Sequence, residues 1–202
     1  MAEHIVSPHS HHHDDSHITS SKTIFGFWLY LMTDCILFAT IFAAYIVLKH
    51  GTFGGPSAGE ALNLRSSLNE TLVLLVSSFV CGLAQVAALR EDKRKTQAAL
   101  ILAFLLGGLF LWMLMNDLTL LVQGGNGWQR SAFLSAYFTL VGTHLMHIVA
   151  GLLWMVVLVL QILYRGLTIP THRRLLCLRL FWHFLNIVWI FIFTIVYLWG
   201  SL

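Results

Sequence analysis

Two histidines lie three residues apart near the middle of a long apolar stretch, FLSAYFTLVGTHLMHIVAGLLWMVVLVLQILYR, which runs from Phe133 to Arg165. Residues three apart on a helix share a face, so His144 and His147 point to the same side. Imidazole binds haem iron and zinc, and it carries protons near neutral pH. Because ionisable groups are costly inside a membrane, the pair is a candidate functional site.

Five further polar side chains lie within apolar segments: Asp34, Glu70, Asp117, His183 and Asn186. Their depths follow from a rise of ~1.5 Å per residue, counted from the basic residue at the end of each segment. Glu70, Asp117, His144 and His147 all lie about 27–33 Å from that end, so we expect them to form one polar layer. Asp34 falls at ~18 Å, whereas His183 and Asn186 lie only ~6 and ~10 Å from Arg179.

The positions of the histidines on their helices limit which cofactors they could bind. A haem held by two histidines needs one on each side of the ring, but His144 and His147 share a face. His183 is expected roughly 20 Å from His147, too far to complete a haem site. Zinc needs three or four ligands, which Glu70 and Asp117 could help to supply, so a metal site stays open. We expect instead a structural layer in which each ring N–H finds a neighbour or a lipid headgroup.

The remaining polar groups have simpler expected roles. Asp34 is predicted to pair with a neighbouring helix, with a transport role as the alternative. Glu70 is either a shallow interfacial carboxylate or a group that holds lipid or a partner. Small residues within the apolar segments should let helix backbones approach closely; they include Ala39, Ala43, Gly107, Gly108, Gly142 and Gly151.

The segments that carry these groups are membrane-spanning by composition. The 202 residues are 57% hydrophobic and 10% charged, whereas about 25% is usual for a soluble domain. Five apolar runs exceed the roughly 20 residues needed to cross a bilayer, at about 23–48, 68–89, 97–122, 131–164 and 175–201. The sequence therefore predicts an all-α bundle of five transmembrane helices over residues 23–202. Residues 1–22 are expected to be a disordered, histidine-rich tail.

The distribution of basic residues predicts the orientation of the bundle. Nine of the twelve lysines and arginines flank the helices on the side of the N-terminus, and the other three lie on the opposite side. Positive charge favours the cytoplasmic side of a membrane. The N-terminus is therefore expected in the cytoplasm and the C-terminus in the periplasm.

Three stretches resemble subunit III of the haem-copper terminal oxidases: TIFGFWLYLMTDCILFATIFAAY, RSAFLSAYFTLVGTHLMHIVAGLLWMVVL and LFWHFLNIVWIFIFTIVYLWG. The resemblance extends from about residue 23 to the C-terminus. Many cytochrome c oxidase members look like seven-helix chains. With five helices and the IFGFWLYLM start, this sequence is most similar to subunit III of bacterial bo-type ubiquinol oxidases.

The resemblance implies a non-catalytic, lipid-binding membrane subunit of a proton-translocating ubiquinol oxidase in the bacterial inner membrane. It implies partner subunits I, II and IV, with the haems and copper in subunit I and neither cofactor nor catalytic residue in this chain. Glu70, His144 and His147 match residues that lie near bound phospholipid in the family. Asn186 stands where most members have an aspartate, and an amide cannot titrate.

Three alternatives remain. The chain could be subunit III of a cytochrome c oxidase, which differs in the electron donor. It could also be a self-contained proton-coupled transporter that uses Asp34, Glu70 and the histidines, although no internal repeat or broken helix points to one. A stand-alone b-type cytochrome is the third alternative.

Overall fold

A computed structural model describes residues 11–49, 51 and 64–199 of the chain, with side chains from residue 22 onward. Five helices account for nearly all of them: α1 His11–Leu48, α2 Leu64–Leu89, α3 Lys93–Gln123, α4 Ala132–Arg165 and α5 Ile169–Ile192. A π-helical turn, Phe193–Leu198, continues α5. Each of the five contains a stretch long and apolar enough to cross a membrane. The predicted all-α fold with five spans is confirmed.

The predicted last residues of the helices agree with the structure better than the predicted first residues do. Helices α1 and α2 end at the predicted residues, but α1 begins at His11 and α5 begins at Ile169 rather than near Leu175. Hydropathy marks the part of a helix that lies in lipid, whereas the polar first turns extend beyond it. The disordered tail predicted for residues 1–22 stays a prediction: residues 1–10 lie outside the described residues, and α1 begins at His11.

A capping serine, a glycine and an ion pair each stabilise one of the turns between the helices. The hydroxyl of Ser131 accepts a hydrogen bond from the Leu134 amide at 3.2 Å and caps α4. Gly166 ends α4 with a φ of +73°, and a Cβ there would lie 2.7 Å from the Lys93 Nζ, so this turn requires glycine. Between α2 and α3, a 2.8 Å hydrogen bond and the charge of Lys95 hold the pKa of Asp92 below its usual value.

The last helix lies at the centre of the bundle. Helix α5 packs mainly against α1, α2 and α4, while α1 packs mainly against α4 and α5. Half of the apolar span of α5 is buried within the chain, against 22% of the span of α1. Helix α1 therefore presents most of its surface to lipid or to a partner.

The indole ring of Trp182 joins four helices near the middle of the bundle. It projects from α5 against Gly107 on α3 and Gly151 on α4, where an added Cβ would lie 2.8 Å from the ring. Its Nε1 donates to the Ser77 hydroxyl on α2 at 3.2 Å, and that hydroxyl donates to the Ala103 carbonyl at 2.9 Å. Of the glycines expected to allow close approach, Gly107 and Gly151 therefore do so.

Candidate functional site

His147 lies next to Asp34 rather than next to Glu70. Its Nε2 is 3.6 Å from Asp34 Oδ2, which is too long for a hydrogen bond but close enough for an ion pair if the ring is charged. Its Nδ1 lies 2.7 Å from the Thr143 carbonyl, and because a carbonyl oxygen only accepts, Nδ1 donates. The pair joins α1 to α4, the kind of contact expected for Asp34.

This contact corrects the depths counted from the sequence. The counts placed Asp34 at ~18 Å and His147 at ~27 Å, yet the two side chains touch. Lys22 lies inside α1, which begins at His11, whereas Arg165 is the last residue of α4. The two basic residues are therefore not at the same level, and Asp34 belongs with His147.

His144 is enclosed by aromatic rings. It is fully buried, and its ring stacks on Trp189 with centroids 5.3 Å apart and an interplanar angle of 28°. Phe110 meets it edge-on at 6.2 Å, and Phe38 does so at 6.4 Å. Neither ring nitrogen has a hydrogen-bond partner among the described residues. A porphyrin at this imidazole would have to displace at least one of these rings.

Glu70 is buried on α2. It has no exposed surface, and neither carboxylate oxygen has a hydrogen-bond partner in the part of the chain that the structure describes. Trp189 Nε1 donates to the hydroxyl of Thr71, its neighbour on α2, at 3.0 Å. Asp117 is close enough to interact electrostatically with Glu70. Trp189 thus links His144 to Thr71, the residue next to Glu70, and no hydrogen bond joins Glu70 to His144.

A tyrosine pair closes the end of the bundle near Glu70. The hydroxyls of Tyr137 and Tyr197 are 2.9 Å apart and buried. Tyr197 lies in the π-helical turn, a distortion that often marks functional positions. Nothing in the sequence pattern pointed to this pair, because tyrosines at helix ends are common membrane-interface residues.

The expected separation of His147 and His183 is wrong. The rings of His147 and Phe181 are 6.4 Å apart, and Phe181 is only two residues before His183. Arg179 lies ten residues inside α5, which begins at Ile169, so Arg179 does not mark the end of the helix and the depths counted from it were too small. The imidazole of His183 instead donates from Nδ1 to the Arg179 carbonyl at 3.0 Å.

The amide of Asn186 is buried in the same region. It lies between Trp182 and Trp189 in the sequence of α5, and its Oδ1 has no hydrogen-bond partner within residues 11–49, 51 and 64–199. Counted from Ile169, Asn186 lies ~26 Å along the helix, deeper than the ~10 Å expected from the sequence. Asn186 therefore lies at about the depth of His147 and not near the basic end of the bundle.

The sequence left open a metal site in the polar layer, and the structure bears on that alternative. Within the described ranges, no group of three or more histidine, cysteine, aspartate or glutamate side chains is placed to hold a metal ion. The four residues of the expected layer do not share one site: His147 pairs with Asp34, His144 lies among aromatic rings, and Glu70 is buried within electrostatic reach of Asp117. Zinc coordination by the expected set has no support from this arrangement.

Five membrane-crossing helices around a centre of aromatic rings and isolated polar pairs define a multi-pass integral membrane protein. The sequence model of the cytochrome c oxidase subunit III family matches residues 4–201. The chain belongs to that family, as its three characteristic stretches predicted.

Its curated relatives include subunits from oxidases with different electron donors. The chain is 52% identical to cytochrome bo(3) ubiquinol oxidase subunit 3 of Pseudomonas aeruginosa, over 100% of the chain and 98% of the relative. It is 47% identical to the subunit of the same name from Pseudomonas putida, over 92% and 90%. Identity to cytochrome c oxidase subunit 3 of Bacillus sp. (strain PS3) is 40%, over 87% and 84%.

Proposed function

We propose that this chain is the non-catalytic third subunit of a proton-translocating ubiquinol oxidase in a bacterial inner membrane. Subunits I, II and IV are its partners, and the haems and copper belong to subunit I. The observation that carries the proposal is the 52% identity, along the entire chain, to a subunit named for a ubiquinol oxidase. The enclosure of His144 by three aromatic rings supports a role without redox chemistry.

The proposed orientation places the N-terminus in the cytoplasm and the C-terminus in the periplasm. In an up-and-down bundle of five helices, Lys22, the turn at 90–95 and the turn at 165–174 lie at one end. These positions include eight of the twelve basic residues of the chain. Arg179, counted with them in the sequence, lies inside α5, and the remaining excess still favours this end for the cytoplasm.

The buried polar groups have a structural role in this proposal. Glu70 and His144 have no exposed surface, so a bound phospholipid would contact other residues. Trp189 holds their two helices together through its contact with His144 and its hydrogen bond to Thr71. The Asp34–His147 pair attaches α1 to the same centre.

Replacing His144 or Glu70 by alanine tests this role. We expect either change to leave the haem and copper content of the complex intact and to weaken retention of this subunit, because each opens a cavity in the core. The measurement is the visible spectrum of the purified complex, together with the ratio of this chain to subunit I. Loss of oxygen reduction in a complex that keeps all its subunits would contradict the proposal.

The second candidate function, subunit III of a cytochrome c oxidase, differs from the first in its electron donor. The family description and the 40% identity to a cytochrome c oxidase subunit favour cytochrome c as the alternative donor. Co-purification with the tagged chain in mild detergent, followed by oxygen-consumption assays, separates the two. We expect haem-containing partners and oxygen consumption with ubiquinol. Oxygen consumption with reduced cytochrome c alone would favour the second candidate, and a chain without oxidase partners would contradict both.

A further inference from the structure

Arg179 places a positive charge inside the membrane-crossing part of α5. It lies ten residues after Ile169, the first residue of that helix, which corresponds to ~15 Å, and the apolar span continues from there to Leu198. A charged side chain in a membrane span is costly, and such side chains normally face a polar cavity or pair with an opposite charge. Arg179 is therefore expected to have a partner.

The depth of this charge also follows from the neighbouring helix. The guanidinium lies within electrostatic reach of the Cys81 thiol on α2, which is buried. Cys81 precedes Arg90, the first basic residue after α2, by nine residues, which is ~14 Å along the helix. Counts along two different helices therefore agree that the charge lies well below the basic end of the bundle.

No side chain that the structure describes neutralises Arg179. Its guanidinium forms no hydrogen bond and no ion pair within residues 22–49 and 64–199. Of the acidic side chains in these ranges, Asp34 pairs with His147 and Asp92 pairs with Lys95. The others are Glu70, Glu91 and Asp117. An anion from outside this chain is therefore needed.

Two more polar residues lie on the same face of α5. Arg179, His183 and Asn186 are spaced at i, i+4 and i+7, which places them on one side of a helix over two turns. His183 uses Nδ1 to donate to the Arg179 carbonyl at 3.0 Å, which leaves Nε2 for a second partner. The Oδ1 atom of Asn186 is buried and has no partner among the described residues. This face thus offers several polar groups for a ligand.

The apolar part of this face is open. Ile187 and Ile190 lie beside the polar residues, and both are exposed. On one side of the face, Phe184 packs against Phe38 of α1 at 6.4 Å, and on the other, Trp182 donates to Ser77 of α2 at 3.2 Å. Helices α1 and α2 pack mainly on other helices and not on each other. A cleft over α5 is therefore left between them.

We infer that the open face of α5, formed by Arg179, His183, Ile187 and Ile190, binds a transmembrane helix of another chain, and that an aspartate or glutamate on that helix pairs with Arg179. Carboxylates match a guanidinium through two parallel hydrogen bonds. Lipid phosphates lie at the membrane surface, whereas this charge lies ~14–15 Å inside it. The inference rests on the proposed function only in requiring a second chain in the complex.

Reversing the charge tests the pairing in the purified complex. Arg179→Glu should make this chain dissociate at least roughly 30-fold faster on dilution in mild detergent, because loss of one member of a buried charge pair mainly raises the dissociation rate. The readout is a time course by native mass spectrometry. Arg179→Gln, which is the milder change if the first variant does not assemble, should also speed dissociation. Arg94→Glu reverses an exposed charge in the α2–α3 turn and should leave the rate unchanged.

Photo-crosslinking in intact membranes identifies the neighbour. A photoreactive amino acid in place of Ile187 should capture a membrane-spanning segment with an aspartate or glutamate within about three turns, since Ile187 lies ~12 Å from Arg179 along α5. Changing that carboxylate to arginine should restore slow dissociation to the Arg179→Glu variant. The same photoreactive residue at Leu105, exposed on α3, should not capture this segment.

Three results would overturn the inference. One is a dissociation rate that neither Arg179→Glu nor Arg179→Gln changes. Another is a captured segment that has no carboxylate in that range. The third is recovery of the Arg179→Gln variant on addition of phosphatidylglycerol, which would make a lipid headgroup the partner. Capture of an acidic helix from a complex other than an oxidase would contradict the proposed function and support the pairing with Arg179.

Discussion

Replacing Trp182 by alanine is expected to lower the melting temperature of the assembled subunit by about 10 °C. The ring is fully buried and contacts glycines on two other helices. Truncating a buried tryptophan to alanine costs about 3–5 kcal/mol because the surrounding helices close the cavity only in part. For a chain of this length, each kcal/mol corresponds to about 2–4 °C. The readout is the fraction of intact complex recovered by size exclusion after heating.

Trp112→Ala is the matched control for Trp182→Ala. Trp112 lies on α3 with 66% of its surface exposed, so lipid should fill the space that its ring leaves. We expect a change in melting temperature of no more than about 2 °C. Trp182→Phe isolates the hydrogen bond to Ser77, which should contribute about 1 kcal/mol. Equal losses at Trp182 and Trp112 would mean that Trp182 does not hold the helices together.

Replacing Gly107 by valine is expected to lower the melting temperature of the assembled subunit nearly as much as Trp182→Ala does. Even a single added Cβ would lie 2.8 Å from the Trp182 ring and 2.9 Å from a Leu152 methyl. Because the indole is buried among four helices, it cannot rotate away, and overpacking of this kind costs about 1–3 kcal/mol or more. Gly151→Val should behave alike, since its Cβ would meet the other edge of the same ring at 2.8 Å.

The adjacent glycine supplies the control for Gly107. At Gly108, an added Cβ would meet nothing within 4 Å, and the same is true of Gly142 on α4. Changes to alanine at these positions should be neutral or stabilising by up to about 1 kcal/mol, because alanine favours a helix over glycine. Melting temperatures of Gly107→Ala and Gly108→Ala, measured side by side, test the contact. If both variants melt together, the indole does not sit where the structure places it.

The features that depend only on composition along the chain were predicted from the sequence. Long apolar runs between polar turns predicted five spans, and the helix ends at Leu48 and Leu89 agree with the structure. The GTHLMHIVAGLLW and WHFLNIVW stretches also indicated the family, which the match over residues 4–201 confirms. These features need no knowledge of how the helices rotate or tilt.

The sequence was less informative about which side chains meet. The partner of Asp34 depends on the rotation of α1 and on the relative depth of α1 and α4, and neither follows from hydropathy. The assumption that Arg179 marks a membrane surface was wrong because α5 begins ten residues earlier, and the error separated His147 from His183. Gly107 and Gly108 look equivalent in the sequence, but one faces Trp182 and the other faces open space.

The groove between α1, α4 and α5 was also outside the reach of sequence reasoning. The resemblance directed attention to Glu70 and the two histidines, of which Glu70 and His144 are fully buried. Arginines near a helix end ordinarily indicate orientation alone. Only the folded bundle brings Trp154 of α4 and Phe27 of α1 to the same wall as Arg174 of α5.

The central claim, that the proposed oxidase transfers electrons without any redox centre in this chain, is tested most directly by counting cofactors. Haem and copper should be measured per subunit I in the complex purified with this subunit and in the complex purified without it. The account predicts the same haem and copper content in both preparations. One haem or one copper fewer per complex without the subunit would contradict it.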